Sequence, residues 1–249
     1  MSTHDPSSLA PLVRKLELWK RLDVGEQEAL LALPNQVQMF EAGKFFVSEG
    51  EPVNEACLLL SGFAFRQKVT REGRRSISAI HMKGDLVDLQ NSLLGYADHS
   101  VQALTRGRVA LIPRQAIIEL AFRMPNVGMA MWYDTLVDAS IFREWILNVA
   151  RRDAPTRIAH LLCEFGLRLE ALGLGQRSSY ELPMTQDQLA DATGLTSVHV
   201  NRTLMELEKR GLIVRTVRSV VVSDWPNLKD AGEFDAAYLH MSKATGNVA

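Results

Sequence analysis

Residues 182–213 read LPMTQDQLADATGLTSVHVNRTLMELEKRGLI, and this stretch decides the fold of the last third of the chain. Thr185 followed by Gln188 has the spacing of a capping box, which predicts a helix start. Leu189 and Ala190 are placed to face inward. Gly194 supplies a turn in which a positive backbone angle is cheap only for glycine. Thr196 caps a second helix, Val200, Leu204 and Leu207 form its buried stripe, and Gly211 ends it. Two helices joined by such a turn make a helix-turn-helix, whose second helix fits the major groove of DNA.

The outer, N-terminal face of that second helix carries Ser197, Val198, His199, Asn201 and Arg202. Arg202 can donate two hydrogen bonds to a guanine edge, Asn201 can read adenine or hold a phosphate, and Val198 can meet a thymine methyl group. Thr185, Gln186 and Thr196 lie at helix starts, where hydroxyls, amides and backbone N–H groups meet phosphate oxygens. Beyond Gly211, Leu212–Val217 and Ser219–Val222 are strand-like runs, which predict a β-hairpin wing with Arg215 and Arg218 near the DNA backbone. Between Leu195 and Val222 five basic residues (Arg202, Lys209, Arg210, Arg215, Arg218) stand against Glu206 and Glu208. This half is locally positive, although the whole chain has a formal net charge of -1.

Working outward, Asp153-Ala154-Pro155 breaks the pattern and places a domain boundary near residues 150–155, with a new helix over Thr156–Leu172. Upstream, Asn126–Val149 lacks proline, and apolar residues recur at Val127, Ala130, Met131, Val137, Ile141 and Trp145. That spacing predicts one long amphipathic helix, either packed on its own domain or paired with a second copy as a coiled coil. From Asn35 to Pro113, short apolar runs such as Ala56–Leu60, Ala64–Val69, Ser76–His81 and Val109–Ile112 are punctuated by turn residues, which predicts a sandwich or barrel-like β domain. Helical stretches over Leu9–Trp19 and Asp23–Leu31 precede it, the second capped by Asp23 with Glu26 three residues on. Residues 1–8 read as disordered. The tail beyond Ser223 reads as a short helix packing its aromatics on the DNA-binding domain.

The 249 residues are 47% hydrophobic and 23% charged, enough for two cores of ordinary size. Cys57 and Cys163 sit far apart in apolar runs, which reads as buried thiols rather than a disulfide framework or metal site. No apolar run is long enough to cross a bilayer and the N-terminus lacks the blocks of a secretory signal, so a cytoplasmic location is expected. No Ser/His/Asp set, paired catalytic carboxylates or phosphate loop with a lysine is present, so no enzyme is expected.

On these residues the chain resembles the bacterial CRP/FNR superfamily, the cyclic-AMP receptor protein and fumarate-nitrate regulator group. The likeness is strongest over Thr185–Ile213, where Gln188-Leu189-Ala190, Gly194 and Val198-His199-Val200-Asn201-Arg202 match the family's helix-turn-helix. Arg202 falls on the family's base-reading arginine, and Thr156-Arg157-Ile158-Ala159 on the helix that opens its DNA-binding domain. Leu60-Ser61-Gly62, Glu72-Gly73 and Gly84-Asp85-Leu86 match the glycine turns of its β-roll. The resemblance implies an α+β architecture: an effector-sensing β-roll of cyclic-nucleotide-binding type over 9–125, a dimerisation helix over 126–152, a winged helix-turn-helix over 153–223 and a tail over 224–249. It implies a homodimer, promoter DNA of two-fold symmetry, and RNA polymerase as a partner.

The chain departs from the family in two places. Val198 stands where many members carry a glutamate, which implies a different half-site. The stretch Gly84–Ser100 corresponds to the phosphate cassette of cyclic-nucleotide binders, with Asp85 at the ribose-binding acid, but Ala97, Asp98 or His99 falls at the phosphate position and no arginine is present. Phe142 and Arg143 replace the small hydroxyl residues that would meet an adenine. The candidate effector residues are thus Gly84, Asp85, Leu86, His99, Phe142 and Arg143, with cyclic AMP not expected as ligand. The N-terminal cysteine cluster of iron-sulfur members is absent, so that cofactor is not expected either. The alternative reading is a small-molecule sensor, of haem (through His81, His99, Met82 or Cys57) or of a nucleotide, with a weak or vestigial DNA-binding role.

Overall fold

The computed structural model describes residues 6–241. Residues 1–5, which hold most of the stretch expected to be disordered, and 242–249, the end of the tail, lie outside the described residues. Within that first stretch Pro6–Leu9 forms a 3₁₀ turn, and Ser8 is buried with its hydroxyl on Asn35 at 3.2 Å, so the expectation of disorder fails for Ser8.

The chain runs through α1 (Ala10–Glu17), α2 (Val24–Leu31), β1 (Gln36–Phe40), β2 (Phe45–Val47), β3 (Glu55–Ser61), β4 (Ala64–Val69), β5 (Arg75–His81), β6 (Leu86–Val87), the single-turn α3 (Asn91–Leu94), β7 (Ser100–Ala103) and β8 (Gly107–Pro113). It continues through α4 (Arg114–Arg123), α5 (Pro125–Arg151), α6 (Ala154–Ala171), β9 (Ser179–Glu181), α7 (Gln186–Thr193), α8 (Ser197–Lys209), β10 (Ile213–Arg215), β11 (Ser219–Val222), α9 (Trp225–Ala231) and a 3₁₀ turn at Ala236–Leu239. Contacts divide it into two units: residues up to Lys68 with Ala79–Ala139, and Val69–Ser78 with Ser140–Leu239. The division falls inside α5 because its last turns are tied to α6. Trp145 Nε1 donates to Glu164 at 2.9 Å, and Asn148 Nδ2 donates to the Arg157 carbonyl.

The β domain has two four-stranded sheets, ordered β1-β8-β3-β6 and β2-β7-β4-β5, which lie in the first unit apart from the Val69–Ser78 hairpin. β3 is apolar on both sides, which explains its unbroken run Ala56–Leu60. Cys57 and Leu59 enter the core between the sheets, with Phe40, Val101 and Val109. Ala56, Leu58 and Leu60 point the other way, onto Leu9, Leu12 and Leu16 ahead of the roll and Ile117, Leu120, Val127 and Met131 after it. Side chains alternate across a strand, so one strand feeds two cores. At about 1.5–3 kcal/mol per buried leucine, this layer of helices on the outer face is a major support of the roll. The turn between β3 and β4 needs Gly62, whose φ is +83° and whose missing Cβ would lie 2.8 Å from the Arg106 carbonyl oxygen.

α5 presents two apolar faces. The stripe Val127, Ala130, Met131, Val137, Ile141 and Trp145 is buried within its own chain, as in the first of the two readings. A second stripe remains exposed: Met129, Trp132 (60% exposed), Leu136 (51%), Phe142, Ile146 and Val149. The helix is apolar on two faces, and only one is covered.

In the second unit β9, β11 and β10 form a small antiparallel sheet beside α6–α8. Among the described residues, no helix is long and apolar enough to cross a membrane.

Candidate nucleic-acid interface

α7 and α8 are positioned by local chemistry. The Thr185 hydroxyl accepts from the Gln188 N–H at 3.2 Å, and the Gln188 side chain accepts from the Thr185 N–H at 2.8 Å, closing the capping box. Gly194 takes a left-handed φ of +65° and turns the chain, and the Thr196 hydroxyl accepts from the His199 N–H at 3.2 Å to start α8. Val200, Thr203, Leu204 and Leu207 are buried against the unit. Arg157 of α6 braces the turn by donating to the Thr193 carbonyl at 3.0 Å.

This leaves a defined outer face. Val198 is 79% exposed and Arg202 is exposed, with no hydrogen-bond or ion-pair partner among the described residues. Ser197, His199 and Asn201 lie half-buried beside them. Gln186 Nε2 donates to Asn201 Oδ1 at 3.0 Å, so the first helix of the motif holds a side chain of the second. The hydroxyls of Thr185 and Thr196 each use a lone pair for their cap, which leaves the O–H free to donate to a phosphate. The structure therefore brings Thr185, Gln186, Thr196, Ser197, Val198, His199, Asn201 and Arg202 onto the two helices of one motif.

The wing differs in part from expectation. Arg218 is exposed at its tip beside Val217, which is 99% exposed. Arg215 is not free for DNA: its guanidinium pairs with Glu208 at 2.8 Å and its N–H donates to the same carboxylate. β9, a third strand of the wing sheet, was not legible in Ser179–Glu181. Arg75 also enters unforeseen, binding Asp191 of α7 through Nε and a terminal nitrogen, each at 2.7 Å. It neutralises a carboxylate on a helix of the DNA-binding motif.

The candidate effector residues differ in their surroundings. Asp85 is buried, with Oδ1 on Lys15 Nζ at 2.7 Å and Oδ2 accepting from the Met82 N–H at 3.0 Å, so both oxygens are engaged. Leu86 lies in the core and Gly84 in the turn before it. Phe142 and Arg143 are exposed on α5. His99 is buried between Asp88 (2.6 Å) and Asp98 (2.5 Å). Besides Lys15, two cations of β4 meet the Gly84–Ser100 stretch: Arg66 reaches Asp88 at 3.3 Å and Asp138 of α5 at 2.8 Å, and Lys68 Nζ donates to the Asp98 carbonyl at 2.5 Å. Sequence distance hid this chain of ion pairs. His81 and Met82 are fully buried, and no group of three or more His, Cys, Asp and Glu among the described residues could hold a metal.

Burial opposes the charge on His99, but hydrogen bonds to Asp88 and Asp98 outweigh it and hold the imidazolium above the usual histidine range. Burial also opposes the charge on Asp88, yet the hydrogen bond from His99 and the charge of Arg66 hold its carboxyl below the usual range. Burial pushes the nearby His81 down to about 4, so it stays neutral. The stabilisation from His99 is therefore complete below the unfolded histidine value of about 6.5 and fades as pH rises through the higher folded value. The stability difference between the wild type and a His99→Gln variant, from urea midpoints, should shrink as pH is raised above about 6.5. Taking the difference cancels His81, which acts in the opposite sense. A difference that stays flat from mildly acid to alkaline pH would contradict the charged pair.

Comparison with known proteins agrees with this arrangement. Residues 156–231 match the family model of the Crp-like helix-turn-helix domain, and residues 37–123 that of the cyclic nucleotide-binding domain. The chain is 27% identical to the transcriptional activator protein FnrL of Cereibacter sphaeroides, over 84% of this chain and 85% of that protein. It is 24% identical to the transcriptional activator protein anr of Pseudomonas aeruginosa, over 87% of each. Its fold is similar to that of FixK2 from Bradyrhizobium japonicum, with a TM-score of 0.75 at 23% identity, covering 82% of this chain and all of that one. With a Crp-like helix-turn-helix behind a cyclic-nucleotide-binding-type roll, the chain belongs to the CRP/FNR superfamily of DNA-binding transcriptional regulators.

Proposed function

We propose that the protein binds a two-fold symmetric promoter site as a homodimer, with α8 of each copy in a major groove. The observation that carries this reading is the outer face of α8, where Arg202 stands exposed and unpaired beside Val198. Arg202 reads a guanine through O6 and N7, and Val198 packs on a thymine methyl where a glutamate would accept from cytosine. Thr185, Gln186, Thr196 and Arg218 hold phosphates and set the register. The uncovered stripe of α5 supplies the dimer seam, and a C2 dimer demands a palindrome. RNA polymerase is the partner such a regulator would address.

The effector reading is that cyclic AMP is not the signal. Arg66, which reaches Asp88 of this segment, is already held by two carboxylates, Lys68, whose Nζ donates to the Asp98 carbonyl at 2.5 Å, is paired with Glu49 at 2.9 Å, and Asp85 is held by Lys15. An iron-sulfur cluster is also disfavoured. Cys57 and Cys163 lie in different units, and burial pushes each thiol up to about 12, away from the thiolate a cluster needs.

The test is Arg202→Ala on an operator selected by the wild type from a random duplex library. Loss of one bidentate contact, about 1–3 kcal/mol, predicts roughly a ten- to hundredfold weaker specific complex in a mobility-shift assay. Weak, salt-sensitive binding to any duplex should remain. Full specificity in the variant would show that α8 does not read the bases.

A further inference from the structure

The segment after α9 lies past the matched helix-turn-helix domain and carries no DNA-reading residue, yet it closes a buried junction between α5 and α6. One oxygen of Glu164 on α6, Oε2, accepts from Trp145 Nε1 of α5 at 2.9 Å and from the Tyr238 hydroxyl of the tail at 2.8 Å. Glu164 is almost wholly buried, so each donor on it matters. His160, one turn earlier on α6, has Nδ1 donating to the Gly232 carbonyl and Nε2 3.0 Å from the Tyr238 hydroxyl. Phe234 meets the His160 ring edge-on at 5.3 Å, and Tyr238 stacks on that ring at 5.8 Å. Backbones touch here as well, since a Cβ on Gly232 would stand 2.7 Å from the His160 nitrogen. On the other side Glu233, held at a left-handed φ of +46°, pairs with Arg152 at 3.3 Å, and Arg152 also binds Glu144 of α5 at 2.7 Å.

We propose that Gly232–Leu239 is a brace that fixes α6 against the last turns of α5, with Tyr238 and Glu233 as positioning residues for DNA binding. α6 packs directly on α8. Its angle to α5 therefore sets where each recognition helix stands along the duplex, and so the distance between the two half-sites that one dimer spans. The brace affects half-site spacing and leaves base reading within a half-site untouched. This rests on the proposed dimeric DNA-binding function.

The experiment uses the full chain and a Tyr238→Phe/Glu233→Gln double variant. Both are titrated against the selected operator and against versions with one or two base pairs added or removed between half-sites. The wild type should prefer one spacing. The double variant should lose about tenfold on that spacing, bind the altered spacings almost as well as the original, and keep its penalty for a changed guanine in the half-site. A fold-wide defect would instead weaken all duplexes alike. A double variant with the wild-type spacing profile, or with uniform weakening, would overturn the brace. If the wild type selects no duplex, the DNA-binding reading itself fails and the brace falls with it. A wild type that reads half-sites without a spacing preference would remove the dimer and the brace together. Should the double variant not fold, Tyr238→Phe alone, which deletes one hydroxyl and keeps the ring, supports the same comparison.

Discussion

Replacing Arg66 with methionine is expected to lower the unfolding free energy by about 3–5 kcal/mol, the range for removing one partner of a buried ion pair. Arg66 is buried and bridges β4 to Asp88 and to Asp138 of α5. Methionine can fill much of the volume, so the loss comes from charge. Asp88 would keep His99 but lose the guanidinium, and its other oxygen, Oδ2, is buried without a partner. Asp88 also sits at a left-handed φ of +57°, a strained position that the surrounding contacts must hold. Asp138→Asn should cost less, because that carboxylate is half-exposed. Urea unfolding followed by tryptophan fluorescence measures both. If Arg66→Met were neutral, the network would be decorative and the roll would stand on apolar packing alone.

If α5 carries the proposed dimer seam, Leu136→Glu is expected to leave the protein monomeric and to lower operator affinity by about a hundredfold or more, the size of the avidity that a second linked half-site supplies. Leu136 lies near the middle of the exposed stripe of α5. In the proposed dimer a two-fold axis would set this position close to its own copy in the partner subunit, so one substitution would place two carboxylates in an apolar seam. In the isolated chain the side chain is half in solvent, and monomer stability should hardly change. Light scattering should report about twice 27.8 kDa for the wild type and a single copy for the variant. A variant that stays dimeric would move the interface off α5.

The helix-turn-helix was legible because its signals are local. Thr185 with Gln188, Gly194, and Thr196 followed by Val200, Leu204 and Leu207 each act within one or two turns, so the sequence alone carries the geometry. α5 was legible as a helix, but not in its facing. Its two apolar stripes have the same period, and periodicity does not say which one finds a partner in the same chain. The ion pairs were hidden for a different reason. Arg66 and Asp138 are 72 residues apart, and nothing in either neighbourhood marks the other. The tail behaved similarly: Phe234 and Tyr238 stood out as aromatics, while their ring partner His160 on α6 did not. Arg215 shows the limit of counting charges, since its pairing with Glu208 leaves the local net charge unchanged but occupies one of the five cations.

The threonines at the starts of α7 and α8 cap their helices with one oxygen each, and the proposed DNA complex asks the same hydroxyls to donate to phosphate. For the helix alone, aspartate would serve about as well, and its charge would even suit the positive end of the helix dipole. At positions 185 and 196, however, that charge would face a polyanion and would have no proton to give it. Stability-guided redesign of these two positions would therefore favour a residue that works against the proposed phosphate contacts.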